Sequence, residues 1–224
     1  MEHRKEKINQ IFIGGFGGTG SRVVSEIFEG FGYYVGREIG GDSLDFGKGR
    51  FVQFFDLCWG RKEFSYLFNF INGHLKFTKN SNKFAIKHGH FMFINDELKK
   101  EYPNCKTVYV MRHPIDMAVK DKYIPHVKYG KLIDRYDLRG HLLSDSLDGK
   151  IKYYIRQSIK SCKEADLVIK YEDLCFDLEN QLKIIREFIG DPNLKLPEIV
   201  IKPSKSIGTQ VQLYDNYDVS MLGY

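Results

Sequence analysis

Five glycines fall within the seven residues Gly14-Gly15-Phe16-Gly17-Gly18-Thr19-Gly20, directly after the β-branched and aromatic run Ile8 to Ile13. Val23, Val24, Ile27 and Phe28 then recur at helical spacing. So dense a glycine run weakens a purely structural turn through its entropy. Between a strand and a helix it instead lets the backbone approach an anion, and the free N–H groups of the helix start complement the negative charge. The expectation is strand, phosphate-binding loop and helix, the helix ending near Gly30 or Gly32; a tight turn without a ligand is the competing reading.

The rest of the chain continues the alternation. Tyr33 to Val35 opens a second extended piece, and Gly36 to Gly49 is dense in glycine and aspartate, which is loop chemistry. Phe51 to Leu75 reads as helical, Phe84 to His88 as a short strand, and Phe91 to Tyr102 as a helix closed by Pro103. Lys106 to Met111, KTVYVM, is the strongest strand, and a helix from Ile115 or Asp116 to Lys122 follows it. Leu147 to Ala165 is helical, Asp166 to Lys170 is a strand, and Leu178 to Ile189 is a helix stopped by Gly190 and Pro192. Strands separated by helices predict an α/β fold in three layers, a central parallel sheet covered on both faces. With 42% hydrophobic and 14% aromatic residues among 224, the chain can build such a core, which excludes disordered and collagenous classes. One domain spanning residues 1–224 is expected.

The 34 basic and 29 acidic residues leave a net charge of +5, an excess that fits one local anionic ligand as well as it fits a nucleic-acid surface and by itself decides nothing. Cys58, Cys105, Cys162 and Cys175 form no C-x-x-C pair, so neither a zinc site nor a disulfide scaffold is indicated. The charged N-terminus meets only Ile11 to Ile13 before the glycines, and no apolar run approaches the length of a membrane span. A cytoplasmic protein with reduced thiols, no metal and no nucleic-acid partner is expected.

Two formal motifs compete for the glycine loop. Gly15, Gly17 and Gly20 fit G-x-G-x-x-G, with Glu38 near the position of a ribose-binding acid, which points to a nucleotide-binding oxidoreductase. A Walker A loop needs lysine after the last glycine, but Ser21 and Arg22 follow Gly20, so a triphosphate kinase lacks its cation. A second anion site is written in Met111-Arg112-His113-Pro114-Ile115-Asp116, where a strand gives way to a helix. Arg112 leaves the sheet at the edge where open α/β sheets bind ligands, and its planar fork can hold a phosphate; alternatively it pairs with Asp116. Lys120 either joins Asp116 one helical turn away or reaches the same anion.

At this point the chain resembles the sulfotransferases that use 3′-phosphoadenosine 5′-phosphosulfate (PAPS). Thr19-Gly20-Ser21-Arg22 is similar to their S-G-T-T loop, and Arg112, Pro114 and Asp116 match R-x-P-x-D. Tyr171-Glu172-Asp173-Leu174 matches a later Y-E-D-L marker, Phe188-Ile189-Gly190 the end of the following helix, and Ser204 to Thr209 the loop that closes over the nucleotide. The resemblance implies a P-loop nucleotide-hydrolase-like fold and sulfonate transfer from PAPS to a hydroxyl or amine of a small-molecule or carbohydrate acceptor, leaving 3′,5′-adenosine diphosphate. It implies that Gly17, Gly18, Thr19, Gly20, Ser21 and Arg22 hold the 5′-phosphosulfate. Arg112 and Lys120 would hold the 3′-phosphate, and Ile207, Gly208 and Thr209 would close the site.

The chain departs from that family where a lysine or arginine usually precedes S-G-T, since Gly18 stands there. The cation that neutralises the leaving group must then come from Arg22 or from Lys87 at the end of the Phe84 strand. Lys120 replaces a serine. For the base that deprotonates the acceptor, His88 and His90 follow Lys87 closely, and Asp42 and Asp45 are rival carboxylates. Loss of the loop cation also leaves open a non-catalytic binding module derived from a sulfotransferase.

Overall fold

The computed structural model describes residues 7–40, 44–46, 55, 58, 61, 63–79, 82–119, 146–203, 207 and 216–224. Four strands, β1 (Gln10–Gly15), β2 (Phe84–Lys87), β3 (Lys106–Met111) and β4 (Leu167–Lys170), form one sheet in the order β2-β1-β3-β4. All three pairings are parallel, with Ile11 opposite both Ala85 and Lys106, and Val108 opposite Leu167. β1 and β3 are buried along almost their whole length, as a parallel strand covered on both faces requires.

Alternate side chains divide between the two faces. Ile11, Ile13, Ala85, Val108, Val110 and Ile169 point to one side. There they meet Val24, Ile27 and Phe28 of α1 (Ser21–Gly30) and the buried stripe of α8 (Leu178–Ile189). Phe12, Phe84 and Ile86 point to the other side, against α3 (Ser65–Phe77) and α4 (Asn95–Glu101). Further along that face Tyr109 and Met111 pack on α5 (Pro114–Val119) and α6 (Leu147–Glu164). The result is the α/β fold with a central parallel sheet and helices on both faces that the sequence pattern predicts. Among the described residues no helix is long and apolar enough to cross a membrane.

Three elements differ from the sequence reading. Tyr33 to Val35 forms no ladder strand; Tyr34 and Asp45 each make a single parallel bridge, to Phe84 and Lys87, along the outer edge of β2. The stretch read as loop from Gly36 contains the short helix α2 (Arg37–Gly40), at whose start Arg37 pairs with Glu29 of α1 and Glu38 accepts from the Tyr34 hydroxyl. The helix expected from Phe91 to Tyr102 is split at Ile94, whose φ of −123° separates a 3₁₀ segment, Gly89–Phe93, from α4. Burial of Phe91, Ile94 and Leu98 in the same cluster sets that break, because core packing overrides the helical preference of a short segment. A further short helix, α7 (Tyr171–Phe176), is too brief to carry a periodic signal. Most of the expected helix before Ser65, and the end of α5 beyond Val119, lie outside the described residues.

A cluster of aromatic rings packs under β1. The Phe12 ring lies 5.4 Å from Phe84, 5.0 Å from Phe91 and 5.0 Å from Tyr102, and is fully buried. Replacing Phe12 by alanine is expected to destabilise the fold by about 3–5 kcal/mol, read as a lower urea midpoint at unchanged slope. A shift equivalent to less than about 1 kcal/mol would mean that the cluster collapses around the void.

Candidate functional site

All four strands are parallel, so their carboxyl ends emerge along one edge. From that edge β1 runs into the glycine loop, β3 into Arg112 and β4 into Tyr171. The sheet order places β2 on one side of β1 and β3 on the other. Open α/β sheets bind ligands in the crevice at such a switch point.

The glycine loop is shaped by close approach. Thr19 is buried and turns back on the loop, its N–H and Oγ1 both donating to the Phe16 carbonyl at 3.2 and 2.8 Å. Phe16 anchors the loop in the core, with its ring 4.7 Å from Tyr154 of α6. Gly18 and Gly20 have φ of 92° and 87°, the left-handed region. A Cβ on Gly20 would fall 2.2 Å from Cδ2 of Tyr171, so only glycine admits that ring; at Gly18 the nearest atom would be Met117 Cε at 3.9 Å. Gly20 caps α1 without a side-chain hydrogen bond, and the first turn carries no acidic residue. Ser21 and Arg22 open the helix, leaving its positive end uncompensated by side chains of its own first turn.

Arg112 lies beside this loop through Tyr171. Its guanidinium carbon sits 5.4 Å from the centre of the Tyr171 ring, a cation–π contact, and the same ring packs on Gly20. Arg112 and Asp116 are both buried and their nearest charged atoms are 3.8 Å apart, so this contact is coulombic rather than hydrogen-bonded. Arg112 thus faces Asp116 and, through Tyr171, adjoins the glycine loop. The backbone N–H of His113 donates to Glu172 at 2.9 Å, tying the end of β3 to the start of α7.

At the other side of β1, Lys87 ends β2 opposite Ile13. Its ammonium meets Asp45 at 2.9 Å; the Lys87 side chain is 7% exposed and that of Asp45 is 38%. Burial pushes the Lys87 pKa below its ordinary value, Asp45 opposes the shift, and the charge of Arg22 adds to it. Arg22 and Lys87, the two candidate cations for the leaving group, therefore share one electrostatic neighbourhood. His88 accepts the backbone N–H of His90 at its Nδ1, 3.2 Å away, and the two Nδ1 atoms are also 3.2 Å apart. Accepting at Nδ1 places the proton of a neutral His88 on Nε2. Burial pushes the His90 imidazole down to about 4, which makes it a weak base at neutral pH.

The structure thus brings Gly17 to Arg22, Lys87, Asp45, Arg112 and Tyr171 to the carboxyl edge. Ile207 is a half-buried turn residue, whereas Asp42, Lys120, Gly208 and Thr209 lie outside the described residues. Tyr171, which the sequence offers only as part of the Y-E-D-L marker, packs on the glycine loop itself. The Lys87–Asp45 pair joins positions far apart in the chain, and no local pattern announces it.

No protein-family model matches the chain, and no curated protein does. Among solved structures, the sulfotransferase domain of a Synechococcus olefin synthase is 15% identical over 98% of this chain and 85% of its own, with a TM-score of 0.42. The sulfotransferase domain from the curacin biosynthetic pathway is 13% identical over 96% and 90%, with a TM-score of 0.46. A sulfotransferase from Mycobacterium avium is 11% identical over 96% and 78%, with a TM-score of 0.42.

The two left-handed glycines provide a paired test of the loop. Gly18→Ala meets Met117 at ordinary contact distance and should cost about 1–2 kcal/mol from backbone strain alone. Gly20→Ala adds the overlap with Tyr171 and should cost about 2–5 kcal/mol. Thermal melts of the two variants check the order; equal losses would mean that Tyr171 does not pack on the loop.

Proposed function

We propose that the chain is a sulfotransferase that moves a sulfonate group from PAPS to a hydroxyl or amine of a small-molecule or carbohydrate acceptor. One observation supports the reading: neighbouring parallel strands bring the glycine loop and Arg112 to the same edge, linked by Tyr171. A nucleotide with anionic groups at both ends of its ribose needs two such places. The oxidoreductase reading fits less well. The segment after α1 bridges only the outer edge of β2, and Glu38 is engaged by the Tyr34 hydroxyl instead of standing at the tip of a strand beside β1.

In this reading the acceptor oxygen or nitrogen attacks sulfur, and the bond from sulfur to the 5′-phosphate oxygen breaks. The loop N–H groups hold the phosphosulfate, and Lys87 with Arg22 neutralises the charge that grows on the bridging oxygen. Asp45 takes the acceptor proton; it is partly exposed and adjoins the cation, whereas the Nδ1 of His88 is occupied and His90 is too weak a base. Arg112 holds the 3′-phosphate, and 3′,5′-adenosine diphosphate leaves. Positioning and charge neutralisation supply the catalysis.

Calorimetry with 3′,5′-adenosine diphosphate, NADH and ATP should show tightest binding of the first, and Arg112→Ala should abolish most of that preference. Failure to bind the bisphosphate, or tighter binding of NADH, would overturn the reading; binding without turnover on a broad acceptor panel would make the chain a binding module.

The alkaline limb of activity provides a second check. A charged Lys87 is fully present below its depressed pKa and is lost as pH rises through it, so activity should fall before the ordinary lysine value of 10.5 is reached. Asp45→Asn removes the group that opposes the depression, and the limb should move to lower pH while the rate drops. Lys87→Met should lower the rate about 10²–10³-fold and remove the limb. A limb that stays in place in both variants would exclude Lys87 as the cation.

A further inference from the structure

The last ladder partners between β3 and β4 are Met111 and Lys170. Beyond them the two strands leave the sheet, and the ladder does not extend to Arg112 and Tyr171. A carboxylate joins them instead. Glu172 Oε1 accepts the backbone N–H of His113 at 2.9 Å, while Oε2 accepts the hydroxyl of Tyr224, also at 2.9 Å. The Tyr224 ring meets the His113 imidazole edge to face with centroids 4.6 Å apart, and Lys170 Nζ lies 4.6 Å from the centre of the same ring. Lys170 also donates to the Gly223 carbonyl at 2.6 Å. Tyr224 is thereby fastened to residues flanking both Arg112 and Tyr171. Burial and the neighbouring Glu172 carboxylate push its hydroxyl far above the ordinary tyrosine range, so it remains a donor.

We propose that Tyr224 is a positioning residue for the 3′-phosphate site: by fixing Glu172 it sets the placement of the His113 N–H and hence of Arg112 against Tyr171. The proposal rests on the nucleotide reading above. Tyr224 touches neither nucleotide nor acceptor in it; its effect passes through Glu172 and the turn at His113.

The test compares 3′,5′-adenosine diphosphate with adenosine 5′-phosphate, which lacks only the 3′-phosphate. Tyr224→Phe keeps the ring against His113 and Lys170 and removes one hydrogen bond. Its affinity for the bisphosphate should fall roughly three- to tenfold, the worth of about one such bond, while the monophosphate binds as in the parent. Glu172→Ala, which removes both hydrogen bonds, should produce the same selective loss, at least as large. If the parent itself does not prefer the bisphosphate, the nucleotide reading fails and takes this inference with it. If the parent does prefer it and Tyr224→Phe keeps the whole preference, or weakens both nucleotides equally, only the positioning role is overturned.

Discussion

In β1 the chain is hydrogen-bonded between two parallel neighbours, β2 and β3, and this double pairing decides where every site residue lies. Parallel strands discharge their carboxyl ends on one edge, so the glycine loop, Lys87 and Arg112 reach the same side of the sheet although long stretches of chain separate them. An antiparallel partner on either side of β1 would have sent one of those groups to the opposite edge. The helices act second. α1 and α8 cover one face, and α3 to α6 the other.

Charge at that edge is arranged in two unlike pairs. Arg112 and Asp116 are both buried, so taking either partner away strands a charge in a medium that solvates it poorly. Lys87 and Asp45 are divided, the ammonium enclosed and the carboxylate partly in water. A pair of the second kind is easier to separate, because the exposed member regains hydration when its partner turns to a ligand. The first pair thus suits a fixed binding element and the second a group whose partner changes during a reaction.

Much of this is legible in the sequence where the signal is local. KTVYVM reads as a buried strand because Thr107, Val108, Tyr109 and Val110 are β-branched or aromatic in an unbroken run, and Leu178–Ile189 reads as a helix because its apolar spacing and the following Gly190 agree. The glycine loop and the Arg112 turn are legible because their chemistry is written in adjacent residues. Long-range closure is not. The Asp45–Lys87 pair, the packing of Tyr171 on Gly20, and the Tyr224–Glu172 bond each join segments that share no pattern. Ile94 escapes sequence reasoning for a related reason: Phe91, Ile94 and Leu98 recur at helical spacing, and the aromatic cluster in which all three are buried is not visible in that spacing.

The central position of β1 also governs how the molecule reaches this structure. Ile11 finds its partners at Ala85 and Lys106, and β3 in turn waits for Leu167, so nearly every sheet contact spans a large stretch of chain. Loops of that size must close before any ladder forms, which places the chain among slow folders. A ribosome releases β1 and its glycines long before their neighbours exist. Until Val108 has emerged, the apolar strand Ile11 to Ile13 lacks its full set of partners in β3.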